Sequence, residues 1–344
     1  MGGPDGPRAV APFLRNLFAD PAVLPLPRWL SGVVGLLIVR RRLKGVQERY
    51  RLVGYGGGSP QLRWTRRQAD RLAELIAARG CDAVPACAMR YWHPFASETA
   101  SELLAHEVAQ ILVVPTYPQY ASATSGSSLA DFCTAAVRLA PHLPLHVVSE
   151  WHLLPSYIAA LAVRAAKPLN DWADQGVPAR ECALVYAAHS LPERFVRGGD
   201  PYVEQTRATV AAVQSALGRR LAGRTSWLAD VAGGSTPLLA YQSKVGPVRW
   251  VGPDVFDVAS KLVRGGRTRL ALVPVSFTCE HIETLVELDQ ELGDELRRAG
   301  VVEYVRAPAL NLDEGWLAGF ADHLHAAAFG APATARGAAP GDRT

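Results

Sequence analysis

Residues 270–291 change hydrophobic period in mid-course. Leu270, Leu272, Val273 and Val275 form an apolar, β-prone run, residues 276–279 break it, and the pattern that follows is helical. A strand that feeds a helix is half of a parallel-sheet unit, because parallel neighbours need a crossover to bring the chain back. At about 100° per residue, Glu280, Glu283, Glu287, Glu291 and Asp294 fall in one sector of that helix, and Leu285, Leu288, Leu292 and Leu296 in another. The leucines mark a core face. A line of carboxylates alone is also what a solvated amphipathic helix shows, so it names no chemistry. His281 beside Glu283 changes the reading, because both stand at the carboxyl end of the strand, where open α/β sheets place ligands. Imidazole with carboxylate suits proton transfer and divalent first-row metals.

The same plan recurs along the chain. A loop at Gly2, Gly3 and Pro4 precedes a short helix at 10–18, and the apolar run 29–39 predicts a helix that is buried or lies at a membrane surface. At about 11 residues it is short of the ~20 that cross a bilayer. Helices are predicted at 65–79, 97–110 and 129–139, with strands at 83–91, 111–115 and 145–148. The second half reads as helix 155–166, strand 182–188, helix 203–217, the stretch 238–245, helix 255–264, strand 270–275, the acidic helix, the short stretches 302–304 and 309–311, and helix 315–329. Residues 331–344 are rich in Ala, Gly and Pro and read as disordered. With 344 residues, 49% hydrophobic and 20% charged, the chain is long enough for two cores. The expected division is 1–150, 151–305, a helical segment 306–330 that packs back on the body, and the tail.

Charge and cysteine usage exclude some functions. A net charge of +4 with scattered Lys and Arg does not imply nucleic acid. Cys81, Cys87, Cys133, Cys182 and Cys279 are odd in number and form no C-x-x-C, which points to buried thiols in a reducing cytoplasm. The glycine-rich stretch 54–60 has neither nucleotide-binding spacing. Arg40, Arg41, Arg42 and Lys44, followed by Gln47, Arg49, Tyr50 and Arg51, read as a solvated helix end or as a set of guanidinium forks for carboxylates. His189 ends strand 182–188. A lone histidine there is ordinarily structural, but with His281 and Glu283 delivered by a second parallel strand it opens into the same crevice. His93, His106, His142, His146, His152, His323 and His325 share no pattern and read as structural.

Six groups of residues in order resemble the ferrochelatase family: Met1-Gly-Gly-Pro-Asp5 with 13–18, Arg90-Tyr-Trp-His-Pro94, Tyr117-Pro-Gln-Tyr120 with 125–128, Ala188-His-Ser-Leu-Pro192 with Gly199-Asp-Pro-Tyr202, Tyr241 to Pro247 with Trp250, and His281-Ile-Glu-Thr-Leu285. The resemblance runs from Met1 to about Phe329. It implies an α/β fold of two pseudo-symmetric Rossmann-like domains, each a parallel sheet flanked by helices, with a porphyrin cleft between them. It also implies a lyase, a porphyrin metal chelatase of haem biosynthesis that inserts ferrous iron into protoporphyrin IX.

The resemblance casts His189 and Glu283 as the catalytic and metal-holding pair, leaving open which is base and which is ligand. Glu280, Glu287 and Glu291 would pass protons or metal toward solvent. Arg42, Tyr50 and Ser59 match positions that hold propionates, Met1 and Trp250 match apolar walls, and His281 also faces porphyrin. Because His281 and Glu283 would point apart on an ideal α-helix, a wide first turn is expected. Glu280 departs from the aspartate usual in the family. Some members carry an iron–sulfur cluster; Ser122 stands at the first cysteine position and no cysteine follows Cys279, so no such cluster and no resident cofactor is expected. Family chains have an apolar strand before the Met-Gly-Gly-Pro loop, so the natural polypeptide is expected to begin upstream of Met1. A coproporphyrin III chelatase remains open, although that branch often has tyrosine where Met1 stands. A non-catalytic tetrapyrrole-binding protein is the distant alternative. The expected location is cytoplasmic, with a peripheral membrane contact through 29–39 left open, as is the oligomeric state.

Overall fold

A computed structural model describes residues 1–24, 28–231, 236–244, 246 and 248–330. The expected disorder of 331–344 lies outside them, as do Val245 at the end of the stretch 238–245 and Pro247 beyond it. In the first half, helices α1 (Val10–Ala19), α2 (Arg28–Leu52), α3 (Gln61–Ala77), α4 (Ala96–Ala105) and α5 (Ser127–Leu139) surround strands β1 (Ile111–Val113) and β2 (Leu145–Val147). The second half contains α6 (Pro155–Asp174), β3 (Cys182–His189), α7 (Glu193–Arg197), α8 (Tyr202–Arg220), α9 (Thr225–Val231), β4 (Leu238–Gln242), α10 (Val255–Arg264) and β5 (Arg269–Pro274). A π-helix (Glu283–Leu292), α11 (Gly293–Arg298), β6 (Glu303–Arg306) and α12 (Glu314–Phe329) complete it.

The larger sheet has the order β4-β3-β5-β6 with every neighbouring pair parallel. Its centre reads as an apolar run because both faces are covered. Leu184, Tyr186 and Ala188 enter a core with residues of α6, α8 and α12, while Ala183, Val185 and Ala187 enter another with Val255 and Ala259 of α10 and Leu288, Leu292 and Leu296. Local signals place the covering helices. The Asp254 side chain accepts from Phe256 N at 2.9 Å and opens α10, and Asp313 accepts from Trp316 N at 2.8 Å and opens α12. α12 packs back on α3 and α6; a Cβ on Gly319 would stand 2.5 Å from Ser156 Cβ, so only glycine permits that approach.

Three expectations are corrected. Residues 83–91 form no strand: Met89 makes one isolated bridge to Phe95, Pro85 brings no donor, and 82–85 are exposed with no ladder partner. Asn311 has φ +47° and its N–H goes to Thr278 O. The helix predicted at 29–39 does not stop at the arginines but runs to Leu52 as α2, whose Val33, Leu36 and Leu37 are exposed while Val39 and Tyr50 are buried. No described helix is long and apolar enough to cross a membrane. Finally α6 passes Ala166 and continues through Pro168 to Asp174. An interior proline costs ~3 kcal/mol, and burying Leu169 and Trp172, both 0% exposed, returns about 1.5–3 kcal/mol for a side chain of leucine size and no less for the larger indole.

Candidate functional site

The carboxyl ends of β3, β4 and β5 converge, and His189 is held there by its surroundings. Tyr202 Oη donates to His189 O at 2.9 Å and lies 2.8 Å from Ser276 Oγ. Ser190 N donates to Gln242 O at 2.8 Å, and Ser190 Oγ to Val251 O at 2.7 Å. The His189 ring nitrogen Nδ1 is 2.6 Å from Ser190 O. A carbonyl only accepts, so Nδ1 carries the hydrogen and Nε2 is the nitrogen left to face the site. Nε2 faces Glu283 Oε1 at 3.5 Å.

The expected wide turn is a π-helix ten residues long. With i→i+5 bonding, a residue four positions on stands just short of a full turn, so Glu283, Glu287 and Glu291 stay in a row. The helix lies at the seam of the molecule: Leu288 and Leu292 pack on the larger sheet, while Val286, with Ile282 and Leu285, packs with Val10, Phe13, Val39 and Tyr50 of α1 and α2. Thr284 ties its start, accepting from His281 N at 3.0 Å and donating to His281 O at 3.0 Å. The His281 ring lies 4.3 Å from that of Phe277, and its Nε2 is 3.6 Å from Glu283 Oε2.

Glu283 therefore stands between two imidazoles. At 3.5 and 3.6 Å these contacts are longer than hydrogen bonds, and they act through charge. Burial by itself raises the Glu283 carboxyl, but His189, His281 and Ser243 outweigh it and hold the group down at about 2. Glu283 Oε2 and His281 Nε2 are buried with no hydrogen-bond partner among the described residues. Glu287 goes the other way, raised by burial and by the charge of Glu283. Its two oxygens accept from Ser243 N at 2.7 Å and Ser243 Oγ at 2.5 Å. One carboxylate kept ionised beside one pushed toward its acid form is the arrangement from which proton transfer is built.

Glu291 is paired with Arg49 of α2 at 2.7 Å, and the same guanidinium is 3.9 Å from Glu287. Glu280, placed with the acidic sector by periodicity, is not in this row. Its Oε1 is 3.0 Å from Arg306 Nη1 and accepts from Ala309 N at 2.8 Å, and Arg306 also binds Asp289 at 2.5 Å. Asp294 pairs with Arg297 at 2.7 Å.

The remaining site residues are spread over the facing half and the rim. Tyr50 is buried, which pushes its phenol up, and it shares the neighbourhood of Gly3 with Ser59: a Cβ on Gly3 would stand 2.6 Å from Ser59 Oγ and 3.5 Å from Tyr50 Oη. Ser59 Oγ accepts from Gln61 N at 3.2 Å at the start of α3. Arg42 is half-buried; burial and the neighbouring Arg49 lower its guanidinium without removing its charge. Met1 packs on the α1–α2 cluster. Trp250 is bridged to Pro192, three residues past His189. His93, His146 and His325 find partners elsewhere, in Glu98, Gln110 and Cys81.

Sequence reasoning missed Ser243, Tyr202 and Thr284 as holders of the site, although all three stand in quoted motifs. Ser243 has φ +66°, a conformation rare for a residue with a side chain, and periodicity carries no sign of it.

The ferrochelatase family model matches residues 1–328. The ferrochelatase of Thermosynechococcus vestitus is 35% identical over 339 residues, covering 97% of this chain and 82% of its own length. That of Desulfotalea psychrophila is 35% identical over 320 residues, covering 93% and 92%. SirB from Bacillus subtilis with Fe3+ shares the fold at a TM-score of 0.50, 14% identity, over 77% of this chain and 90% of its own. With a family match over nearly its whole length, the chain belongs to the ferrochelatase family.

Proposed function

We propose that the protein inserts ferrous iron into protoporphyrin IX to give protohaem, the family's metal-chelating lyase reaction with this porphyrin as its substrate. The observation that carries it is Glu283 held ionised between His189 and His281, with buried polar atoms left unpartnered. Metallation exchanges two pyrrole N–H protons for one divalent ion and strips that ion of water. It needs bases and a small anionic foothold for the metal, and no nucleophile. His189 Nε2, the ring nitrogen facing the site, is proposed to accept a proton or hold the incoming ion; Glu283 supplies the negative charge beside it. Glu287, raised and hydrogen-bonded to Ser243, is the next group able to take a proton onward. Arg42, Tyr50 and Ser59 lie in the half that faces this set and are proposed to hold the propionates. Met1, apolar and packed on α1 and α2, supports protoporphyrin over coproporphyrin III.

The test is anaerobic incubation with Fe2+ and each porphyrin, followed by absorbance. Faster conversion of protoporphyrin is expected. Preference for coproporphyrin would move the assignment to that substrate, and porphyrin bound but left metal-free would establish a binding protein. We further propose that the enzyme works without an iron–sulfur cluster, because Ser122 and the cysteine-free stretch after Cys279 do not supply four thiolate ligands. Stoichiometric iron and sulfide in the purified protein would refute this.

A further inference from the structure

Gln242 is the last residue of β4 and stands beside His189 in the parallel register of the sheet. Two positions earlier, Ala240 and Ala187 are also register partners, and both pack in the core that Leu288 and Leu292 of the π-helix complete. Side chains alternate along a strand, so His189 and Gln242 lie on the sheet face that the π-helix covers. Their surroundings differ. The His189 side chain is 38% exposed, whereas Gln242 is 0% exposed. Gln242 O accepts from Ser190 N at 2.8 Å, and Ser243, next along the chain, is tied to Glu287 through both its N–H and its hydroxyl.

A carboxamide carries two donors and an oxygen with two lone pairs. On Gln242 neither Oε1 nor Nε2 has a hydrogen-bond partner among the described residues. An apolar side chain of the same length would avoid the cost of burying those atoms, so packing does not account for glutamine at this position. At the start of the covering π-helix, Glu283 Oε2 and His281 Nε2 are buried and equally unpartnered. These four atoms match the roughly two to four polar partners that an internal water takes. We infer that Gln242 is a positioning residue whose carboxamide anchors an internal water, and that this water hydrogen-bonds to Glu283 and fixes that carboxylate against His189. The inference rests on the metallation reading above. Gln242 is closed off from solvent, so it acts through Glu283 and does not touch the porphyrin.

The test uses the full chain as Gln242→Met, which keeps the length and removes the hydrogen-bonding end, and as Gln242→Asn, which keeps the carboxamide and leaves a gap. Gln242→Met should lower kcat for Zn2+ insertion into protoporphyrin roughly tenfold, with the KM for porphyrin and its Kd by fluorescence titration within about twofold. It should melt at or above the temperature of the parent, because a buried polar group is gone. Gln242→Asn should melt below both and still retain more kcat than Gln242→Met. That inversion separates positioning from structure, since a structural role makes activity follow the melt. Activity that follows the melt, or parent-like kcat in Gln242→Met, would overturn the inference. A crystal structure of the parent supplies a readout that needs no turnover: a water bonded to both Gln242 and Glu283 is expected there. A carboxamide bonded to protein atoms alone, or to nothing, would overturn the inference. If the parent inserts no metal into any porphyrin, the metallation reading falls, while the crystal structure still decides the water.

Discussion

In the C-terminal half β3 is paired on both sides, and its burial pattern is unbroken from Cys182 to Ala188. In the N-terminal half β1 and β2 have only each other among the described residues, and of the six positions only Ile111 is buried. The two halves share a chain logic of strand, helix, strand, yet they contribute different things. The four-stranded sheet fixes the groups whose geometry has to be exact: His189 on its central strand, and Glu283 on the π-helix packed over β5. The other half supplies α1 and α2, a helical wall with a buried Tyr50, a half-buried Arg42 and an exposed apolar stretch at Val33, Leu36 and Leu37. In the proposed function the chemistry falls to the rigid element, and the substrate-holding contacts to the element with more surface and fewer ladders. This is where precision of an ångström matters most.

The strongest way to break that contrast is to exchange the groups on the rigid side. His189→Ala and Glu283→Gln should each lower metallation by about 10²–10⁴-fold while porphyrin binding stays within a few-fold, by fluorescence titration beside initial rates. Near-parent turnover in His189→Ala, or joint loss of binding and turnover, would remove His189 from the metallation step.

A core substitution asks the stability question directly. Leu184→Ala in β3, at 0% exposure, should cost about 3–4 kcal/mol. Val147→Ala in β2, at 46% exposure, should cost no more than ~0.5 kcal/mol. Denaturant midpoints at constant m would check the pair, and similar costs at both positions would show that the smaller sheet is held as firmly as the larger.

The mildest change is expected on the substrate wall. Losing a charge-assisted contact is worth ~1.5–3 kcal/mol, so Arg42→Ala should weaken porphyrin binding roughly ten- to a hundredfold and leave the rate at saturating porphyrin nearly unchanged. A fall in that rate with binding intact would place Arg42 in the chemistry and erase the division of labour.

Much of this was legible because the signals are local. The apolar run that became β3, the helix 255–264 with Asp254 before it, and the strand-to-helix change of period at 270–291 each state their structure within a few residues. The pairing of His189 with Glu283 was legible too, since parallel strands open to the same edge. What the sequence by itself could not decide were the matters settled by distant partners. A strand needs a ladder, and among the described residues 83–91 has none beyond one isolated bridge, whatever its composition. Projection at 100° per residue put Glu280 and Asp294 in one line with the site carboxylates. The π-helix keeps only Glu283, Glu287 and Glu291 in that row, and Arg306 and Arg297 take the other two. Arg49 meets Glu291 across 242 residues of chain, and Ser243 meets Glu287 across 44. His189 and His281 beside Glu283, and burial with Glu283 beside Glu287, set which carboxyl is held down and which is raised, because the charge of a buried group depends on its neighbours in space and on its removal from water, neither of which is written in its neighbours along the chain.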